Sequence, residues 1–547
     1  MREAIRAGSV SRTDSVAYAS LGPWQRTIGQ VFAEEVAADP TGLYVTDGDE
    51  SVDRRTMASA AQLVGQTLLG VGVRPGDVVS MQLPNSWTTL AAMHGAWAVG
   101  AVVNPITTIY RGSELETIFR SATPAAVIVA SGTRGVDFEE QARVAVEAAG
   151  LGAAVLDISA VLPSGSAVSG SAVGGSAVAG LAVAPSARPT DVALLMFTSG
   201  TTGRPKGVLH SHRTLLYEAA SIGDVFGLDP DAIFMPSPLA HITGLLYGVL
   251  MPLLTHGSVT LLDRWDPDVA TDLIERDGCS FTVSATPFLR GLADCCTRRG
   301  TTSALRAFVC GGADIPPTLV ADAERAMGLR VARTYGSTEM PTLCIVRPED
   351  DGPRRLDSEG HLIGEAEARI SDDGELEVRG PELFIGYLDV HDDEAAFTSD
   401  GWFRTGDLAD IASDGVITIT GRRKDLIVRG GENISAKEVE DLLLSHPAIE
   451  DVAIIGVPDP LMGERACAVV VLREGASLGL ADLSAHLDRQ AIARQKYPEF
   501  LWRVEAFPRT VSGKVQKFVL RQRAAAAASA GELESRVDRS MHAGSGS

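Results

Sequence analysis

Hydrophobic positions in the first part of the chain fall in short runs that are separated by longer helix-like stretches. Within residues 72–83, the turn Pro75-Gly76-Asp77 leads into a valine-rich run, which predicts a buried strand. Residues 88–101, which are rich in small side chains, predict a helix after that strand. This alternation, from about Gly29 to Val129, indicates an α/β fold with a parallel sheet.

One segment interrupts the alternation. Residues 164–186 consist almost entirely of Gly, Ser, Ala and Val, and the tetrapeptide Gly-Ser-Ala-Val begins at positions 165, 170 and 175. Such a composition predicts a flexible surface insertion. The α/β pattern resumes at Asp191 and continues to about Gly421.

The remainder has the pattern of a small α+β unit. Ser435 and Glu438 have the spacing of a capping box, with Val439, Leu442 and Leu443 as the buried stripe of the helix that follows. Runs at 451–457 and 466–472 predict strands, and residues 480–492 predict a helix.

These patterns divide the chain into a large α/β body and a smaller domain. We expect an N-terminal extension at 1–24, the body at 25–421 and a C-terminal α+β domain at 422–524. The alanine-rich residues 525–547 predict a disordered tail.

Charge and composition narrow the classes of partner. The chain has 547 residues and a formal net charge of −22, which opposes binding to the phosphate backbone of nucleic acids. Its six cysteines show no metal-binding spacing. The first residues lack the apolar core of a signal peptide, and no apolar run is long enough to span a bilayer, so a cytoplasmic location is expected.

The loop Phe197–Gly207, "FTSGTTGRPKG", is the first candidate for chemistry. It follows a hydrophobic run and combines four hydroxyl residues, three glycines and two cations. Glycines let backbone N–H groups converge on an anion, hydroxyls donate hydrogen bonds, and a lysine supplies positive charge. The composition therefore predicts a phosphate-binding loop, although Gly207 after Lys206 departs from the P-loop signature.

Read as a whole, this loop closely resembles the signature loop of the adenylate-forming superfamily, which includes acyl-CoA synthetases, luciferases and the adenylation domains of peptide synthetases. Further motifs match in the family's order, at 335–341 ("YGSTEMP"), 401–409 ("GWFRTGDLA"), 421–435 ("GRRKDLIVRGGENIS") and 508–517 ("PRTVSGKVQK"). Segments 311–314 ("GGAD") and 238–244 ("PLAHITG") stand where the family contacts adenine and gates the substrate. The resemblance covers roughly residues 25–524 and is strongest to cyclohexanecarboxylate and medium-chain carboxylate–CoA ligases.

The resemblance implies a two-step reaction with ATP, Mg²⁺ and coenzyme A. A carboxylate attacks the α-phosphate, pyrophosphate leaves, and a thiol then attacks the acyl-adenylate. Lys514 resembles the catalytic lysine of the first step, and Lys424 lies at the hinge about which the small domain rotates between the steps.

The same resemblance assigns the remaining site residues. Thr338 touches the α-phosphate and Glu339 holds Mg²⁺. The nucleotide-binding set comprises Thr198, Ser199, Gly200, Thr201, Thr202, Gly203, Lys206, Gly312, Ala313, Tyr335, Asp407 and Arg422, with Tyr335 along the adenine and Asp407 at the ribose hydroxyls. Arg429, Gly430 and Gly431 are assigned to the coenzyme A tunnel.

The acid pocket is predicted from three residues. His241 resembles the residue at the entry of the carboxylate, and Met340 offers apolar lining together with Leu245 and Leu246. Gly336 stands where acetate-specific relatives have a tryptophan, so a deeper cavity is expected. These features favour a medium-chain, alicyclic or aromatic acid over acetate.

Three alternatives stay open at this point. The enzyme could load a carrier protein instead of coenzyme A, or it could adenylate another oxyanion such as nitrite for diazotisation. A non-catalytic AMP sensor is the third, and the presence of Lys514, Glu339 and Asp407 argues against it.

Overall fold

A computed structural model describes residues 24–132, 135–162, 184, 187–198, 205–312, 315–459, 461–490, 492–509, 514–530 and 532–535. The predicted insertion at 164–186 and the predicted extension at 1–24 therefore lie outside the described residues, apart from Ala184 and Trp24.

A nine-stranded sheet forms one half of the body. Its strands between 330–335 and 43–47 are parallel, and antiparallel strands close both edges. In spatial order the strands are His361–Leu362, Cys344–Ile345, Arg330–Tyr335, Ala307–Cys310, Phe281–Ser284, Ala232–Met235, Ser258–Leu261, Leu43–Asp47 and Glu50–Asp53.

A seven-stranded sheet forms the other half. It is parallel except at one edge, where the strand Val192–Thr198 continues into an antiparallel hairpin. In spatial order its strands are Gly386–Tyr387, Lys206–Ser211, Val192–Thr198, Val102–Pro105, Val78–Gln82, Ala126–Val129 and Ala154–Asp157. A shared hydrophobic core joins the two sheets through helices that pack between them.

A four-stranded antiparallel sheet and a mixed C-terminal sheet complete the described chain. The four-stranded sheet has the order Glu367–Ile370, Glu375–Arg379, Phe403–Ile411 and Ile417–Arg422. The C-terminal sheet has the order Glu432–Ser435, Leu426–Arg429, Gly463–Leu472, Phe500–Arg503 and Glu534–Ser535, and Ile449–Asp459 also pairs with Gly463–Leu472. Within it, Gly463–Leu472 and Phe500–Arg503 are parallel neighbours.

The α-helices are Ile28–Ala38, Arg54–Gly70, Trp87–Ala98, Gly112–Ala122, Phe138–Ala148, Ile158–Val161, His212–Phe226, Ile242–Leu245, Met251–Leu254, Pro267–Arg276, Thr286–Arg299, Pro317–Met327, Val390–Ala396, Ala436–Leu444, Leu480–Arg489 and Lys517–Ala530. Wider or tighter turns occupy Leu246–Leu250 (a π-helix), Pro353–Leu356, Arg423–Asp425 and Arg494–Lys496. Among the described residues, none of these helices is both long and apolar enough to cross a bilayer.

The structure confirms the mixed α/β fold and corrects two details. Ser435 caps its helix by accepting a hydrogen bond from the Glu438 N–H, but the Glu438 carboxylate binds Lys496 at 2.6 Å instead of closing a capping box. The tail prediction was wrong for residues 525–530 and 532–535, because the helix continues to Ala530 and the strand Glu534–Ser535 pairs with Phe500–Leu501. Apolar side chains such as Leu533 are buried there, and they hold the segment against the C-terminal sheet.

Candidate active site

The candidate site lies at the carboxyl ends of strands from both large sheets. Thr198 ends one strand, Tyr335 ends another, and Gly312 comes just after the strand Ala307–Cys310. His241 follows Ala232–Met235 by a short loop. The carboxyl ends of parallel strands lie at the same edge of a sheet, so residues that are far apart in sequence lie close together there. Open α/β sheets bind their ligands at this edge.

The phosphate-binding loop is the connection of a β-hairpin. Thr198 and Lys206 are paired residues of its two strands, which fixes both ends of the loop. Lys206 Nζ lies 3.4 Å from Asp392 Oδ1 and 4.7 Å from the centre of the Tyr387 ring, a cation–π distance. The predicted contacts at Ser199, Gly200, Thr201, Thr202 and Gly203, and the one at Ala313, lie outside the described residues.

Glu339, the predicted magnesium ligand, is oriented by Tyr387. The Tyr387 hydroxyl donates to Glu339 Oε1 at 2.8 Å, and the Phe384 N–H donates to the Glu339 carbonyl at 2.8 Å. A partly buried carboxylate with one oxygen positioned in this way fits the hard oxygen donor that Mg²⁺ requires. The described residues contain no cluster of three or more metal-binding side chains, so Glu339 would supply one ligand and other ligands would come from phosphate and water.

The backbone of Thr338 is hydrogen-bonded by a histidine that the sequence did not indicate. His210 is completely buried, and its Nε2 donates to the Thr338 carbonyl at 2.7 Å. Burial lowers the pKa of His210 to about 4, so the ring is neutral at physiological pH. His210 therefore acts as a rigid support for the loop that carries Thr338 and Glu339.

Asp407, Arg422 and Tyr335 form one connected group. Asp407 and Arg422 are opposite residues in the hairpin of Phe403–Ile411 and Ile417–Arg422, and Arg422 Nε lies 2.8 Å from Asp407 Oδ1. The Tyr335 hydroxyl donates to Asp407 Oδ2 at 2.5 Å. The structure thus brings together the residues that the sequence assigned to the ribose and the adenine.

Glu375 shapes the turn that carries Asp407, and the sequence did not reveal it. Its buried carboxylate accepts the Gly406 N–H at 2.9 Å and binds Arg423 at 2.8 Å. Gly406 has φ of +75°, which favours glycine at this turn. Glu375 therefore connects the Asp407 turn to the segment of the predicted hinge.

Lys514 reaches this site from the C-terminal domain. The charges that act on it are those of Arg422, Asp407, Glu339 and Lys424. Removal from water, together with the charge of Arg422, lowers the pKa of Lys514 to about 8, although the two carboxylates oppose the shift. This arrangement puts the predicted catalytic lysine beside the predicted magnesium ligand and the ribose acceptor.

His241 lies near Lys514 in the candidate site. Burial, together with the charge of Lys514, lowers the pKa of His241 to about 4. Its Nε2 atom is buried and has no hydrogen-bond partner among the described residues. A neutral ring with one unsatisfied nitrogen is suited to contact an oxygen of a bound acid.

Gly336 packs against the turn that follows it. A Cβ atom at this position would lie 1.9 Å from the Pro341 carbonyl oxygen and 2.8 Å from the Met340 oxygen. The missing side chain therefore makes room for the backbone of the following turn, which is a structural reason for glycine at this position. Met340 itself is buried, at 2% exposure.

The residues assigned to the coenzyme A tunnel and to the hinge lie in a hairpin and a short turn of the C-terminal domain. Arg429 makes two hydrogen bonds to Glu499, at 3.0 and 2.9 Å. Gly430 and Gly431, with φ of +59° and +89°, form the two-residue connection of a hairpin, a position that demands positive φ. Lys424 is exposed in the short turn Arg423–Asp425.

Two family models match this chain. Residues 32–388 match the model described as "AMP-binding enzyme", and residues 438–514 match "AMP-binding enzyme C-terminal domain". A medium-chain fatty-acid–CoA ligase of Escherichia coli (strain K12) is 33% identical, with 92% of each chain covered. A salicylyl-CoA synthase / salicylate adenylyltransferase of a Streptomyces species is 31% identical, covering 92% of this chain and 95% of the relative. The structure is similar to that of ATP-bound MatB from Rhodopseudomonas palustris, with a TM-score of 0.78, 28% identity and coverage of 91% and 99%.

Proposed function

Since this chain belongs to the AMP-binding enzyme family and is an AMP-forming acid–thiol ligase that uses ATP, Mg²⁺ and coenzyme A, we propose that its acid is a medium-chain, alicyclic or aromatic carboxylic acid. In the first step a carboxylate oxygen bonds to the α-phosphorus of ATP while the bond to pyrophosphate breaks. In the second step the sulfur of coenzyme A bonds to the acyl carbon, AMP leaves, and the thiol proton is released.

The first step is supported by the position of Lys514, which lies close enough to Glu339, Asp407 and Arg422 for their charges to shift its pKa. Two anions repel each other as the carboxylate approaches the α-phosphate, so a cation at that point lowers the barrier. Lys514 provides this cation from the C-terminal domain. Bound at Glu339, Mg²⁺ would neutralise charge on the triphosphate.

The apolar surroundings of His241 support the proposed class of acid. Leu245 and Leu246 follow His241 along the chain and are completely buried, and Met340 is buried next to the Glu339 motif. An apolar lining of this kind favours an aliphatic or aromatic tail over a small polar acid. The named substrates of the relatives, a medium-chain fatty acid and salicylate, belong to the same broad class.

The test is acid-dependent exchange of pyrophosphate into ATP over a panel of carboxylates, followed by thioester formation with coenzyme A or with a phosphopantetheinyl carrier protein. We expect exchange with medium-chain, alicyclic or aromatic acids and transfer to coenzyme A. If only the carrier protein accepts the acyl group, the acceptor is the carrier protein and not coenzyme A. Exchange with acetate alone, or nitrite-dependent release of pyrophosphate without any carboxylate, would replace the proposed acid.

Lys514→Ala separates the two steps within this test. We expect exchange to fall by about 10²- to 10³-fold, as when one charge-stabilising donor is removed. Transfer from a supplied acyl-adenylate to coenzyme A is expected to stay near the wild-type rate. Lys437→Ala is the matched control, since Lys437 pairs with Asp441 on the surface of the C-terminal helix Ala436–Leu444. Equal loss of both steps in Lys514→Ala would contradict the assignment.

A further inference from the structure

A buried chain of hydrogen bonds ends at Glu218. This residue lies on the helix His212–Phe226 and is 0% exposed. The Tyr247 hydroxyl donates to Glu218 Oε1 at 2.6 Å, and the Thr342 hydroxyl lies 2.6 Å from the same Tyr247 oxygen. Tyr247 therefore gives its only proton to the carboxylate, and Thr342 acts on the same carboxylate through its hydroxyl and its backbone N–H, which both lower the pKa of Glu218.

The second oxygen of the Glu218 carboxylate, Oε2, does not take part in this hydrogen-bonded chain. Glu218 Oε2 is buried and has no hydrogen-bond partner among the described residues. Burial raises the pKa of Glu218 to about 7, while the Tyr247 hydroxyl opposes the shift, so Oε2 is an acceptor at higher pH. Buried acceptors in native proteins are satisfied by a bound water or by a ligand.

The position of this oxygen ties it to the predicted acid pocket. Tyr247 continues the segment that begins at His241, and Thr342 follows Met340 closely along the chain. His241 Nε2 is also buried without a partner. At about 1.5 Å of rise per residue, His241 and Tyr247 lie roughly 9 Å apart along the helical segment. His241 begins this helical segment and Glu218 is bonded to it at Tyr247, with the buried side chains of Leu245 and Leu246 between the two positions.

We propose that Glu218 forms the far end of the acid pocket and selects carboxylic acids that carry a hydroxyl or amino group on the part of the molecule remote from the carboxylate. This inference rests on the proposed function, because it concerns the acid that is activated. The carboxylate of the substrate lies near Lys514 and His241, and the remote O–H or N–H donates to Glu218 Oε2. An acid of equal size without that donor leaves the oxygen unsatisfied, which disfavours its binding.

A second buried glutamate provides a matched control. Both carboxylate oxygens of Glu382 are buried without a hydrogen-bond partner from another described residue. Burial, together with the charge of Glu218, raises the pKa of Glu382 well above its usual range. A Cβ at Gly380 would lie 2.7 Å from Glu382 Oε2, so backbone packs closely on that oxygen. The same substitution can thus be made at two buried glutamates, of which only Glu218 is bonded to Tyr247.

The experiment measures kcat/KM for acid-dependent pyrophosphate exchange at about pH 8, where Glu218 is largely ionised. The acids are benzoic, cyclohexanecarboxylic and alkanoic acids bearing a hydroxyl, amino, methyl or methoxy group at each position. We expect the preferred acid to carry a hydroxyl or amino group and to exceed its methyl analogue by about 10- to 100-fold, the effect of one unsatisfied buried acceptor.

The variant Glu218→Gln preserves size and reverses the hydrogen-bonding role. Because Tyr247 still donates to the remaining oxygen, the amide N–H₂ replaces Oε2 and a donor replaces the acceptor. We expect the preference to move to the methoxy analogue, whereas Glu382→Gln keeps the wild-type ratio. Melting temperatures of both variants would show that the folded protein is being compared.

The outcomes separate this inference from the proposed function. If none of the acids supports exchange, the proposed function fails. If exchange occurs but hydroxyl and amino acids have no advantage over methyl analogues, or Glu218→Gln leaves the ratio unchanged, the inference is wrong and a buried water satisfies Glu218.

Discussion

Asp407 and Arg422 face each other across an antiparallel hairpin, and their side chains form an ion pair of 2.8 Å. The register of two neighbouring strands therefore sets this pair, and Tyr335, which is distant in sequence, adds a hydrogen bond to Asp407 Oδ2. Arg422 also stands at the predicted boundary between the body and the C-terminal domain, close to Lys424. A nucleotide at the predicted ribose site would therefore lie beside the segment about which the small domain is predicted to turn.

Asp407→Asn is expected to weaken ATP binding. The substitution removes the charge that pairs with Arg422 and one acceptor for the ribose, which corresponds to about 1.5–3 kcal/mol, or roughly a 10- to 150-fold increase in Kd. Equilibrium binding of ATP in the presence of Mg²⁺ measures the change. Asp410→Asn, on an exposed position of the same strand, is the control and should bind ATP normally. Unchanged affinity in Asp407→Asn would remove Asp407 from the nucleotide site.

The parts of this site that could be predicted from the sequence are carried by contiguous motifs. Lys514, Glu339 and Asp407 each belong to a distinctive string of residues, and the structure brings the three together. Helix capping by Ser435 was likewise predictable, because its partner is only three residues away. The strand Val78–Gln82 was predictable from its valine-rich run, and every residue of it is buried, as is typical of a parallel strand.

The residues that were missed depend on partners far away in sequence. His210 supports Thr338 across 128 residues, Tyr387 orients Glu339 across 48, and Glu375 holds Gly406 across 31. A histidine, a tyrosine or a glutamate inside a strand gives no local sign of such a role. The capping box failed for the same reason, because Glu438 found a better partner in Lys496, 58 residues away.

Gly431→Ala is predicted to impair thiol transfer more than adenylation. The sequence assigned Gly430 and Gly431 to the coenzyme A tunnel, and a Cβ at Gly431 would meet no atom within 4 Å, so added bulk is not blocked by the protein itself. Its φ of +89° imposes strain of about 1–2 kcal/mol on any L-residue. We expect slower transfer from a supplied acyl-adenylate to coenzyme A, with pyrophosphate exchange nearly unchanged.

Gly475→Ala is the matched control for this backbone strain. Gly475 belongs to the same domain, has φ of +74° and also has no neighbouring atom within 4 Å of a Cβ. Both variants should lose similar thermal stability, and only Gly431→Ala should slow the transfer. Equal rates in the two variants would make Gly431 a turn residue without contact to the thiol substrate.

Gly336→Ala is expected to disturb the whole motif 335–341. Its Cβ would collide with the Pro341 carbonyl at 1.9 Å, so the backbone must shift, at a cost of about 1–3 kcal/mol. Exchange should slow for short and long acids alike, because Thr338 and Glu339 move with the turn. Gly112→Ala, where a Cβ meets no atom within 4 Å, is the control. A selective loss of long acids, with normal activity on short ones, would instead show that Gly336 borders the acid pocket.

The ionisation of Lys514 predicts a pH dependence that distinguishes the two half-reactions. Its pKa is lowered to about 8, so the free enzyme carries the cation below pH 8 and loses it as the pH rises. Adenylation needs that charge, and kcat/KM for pyrophosphate exchange reports the free enzyme, so it should decrease tenfold per pH unit above about pH 8. His241, with a pKa of about 4, stays neutral over this range and adds no second inflection.

Two controls test this assignment. Transfer from a supplied acyl-adenylate should not show the decrease above pH 8 that is due to Lys514. The variant Lys514→Arg, which keeps its charge, should show weaker but nearly pH-independent exchange. The same decrease in both half-reactions of the wild-type enzyme would mean that another group titrates near pH 8 and that Lys514 is not the cation required for adenylation.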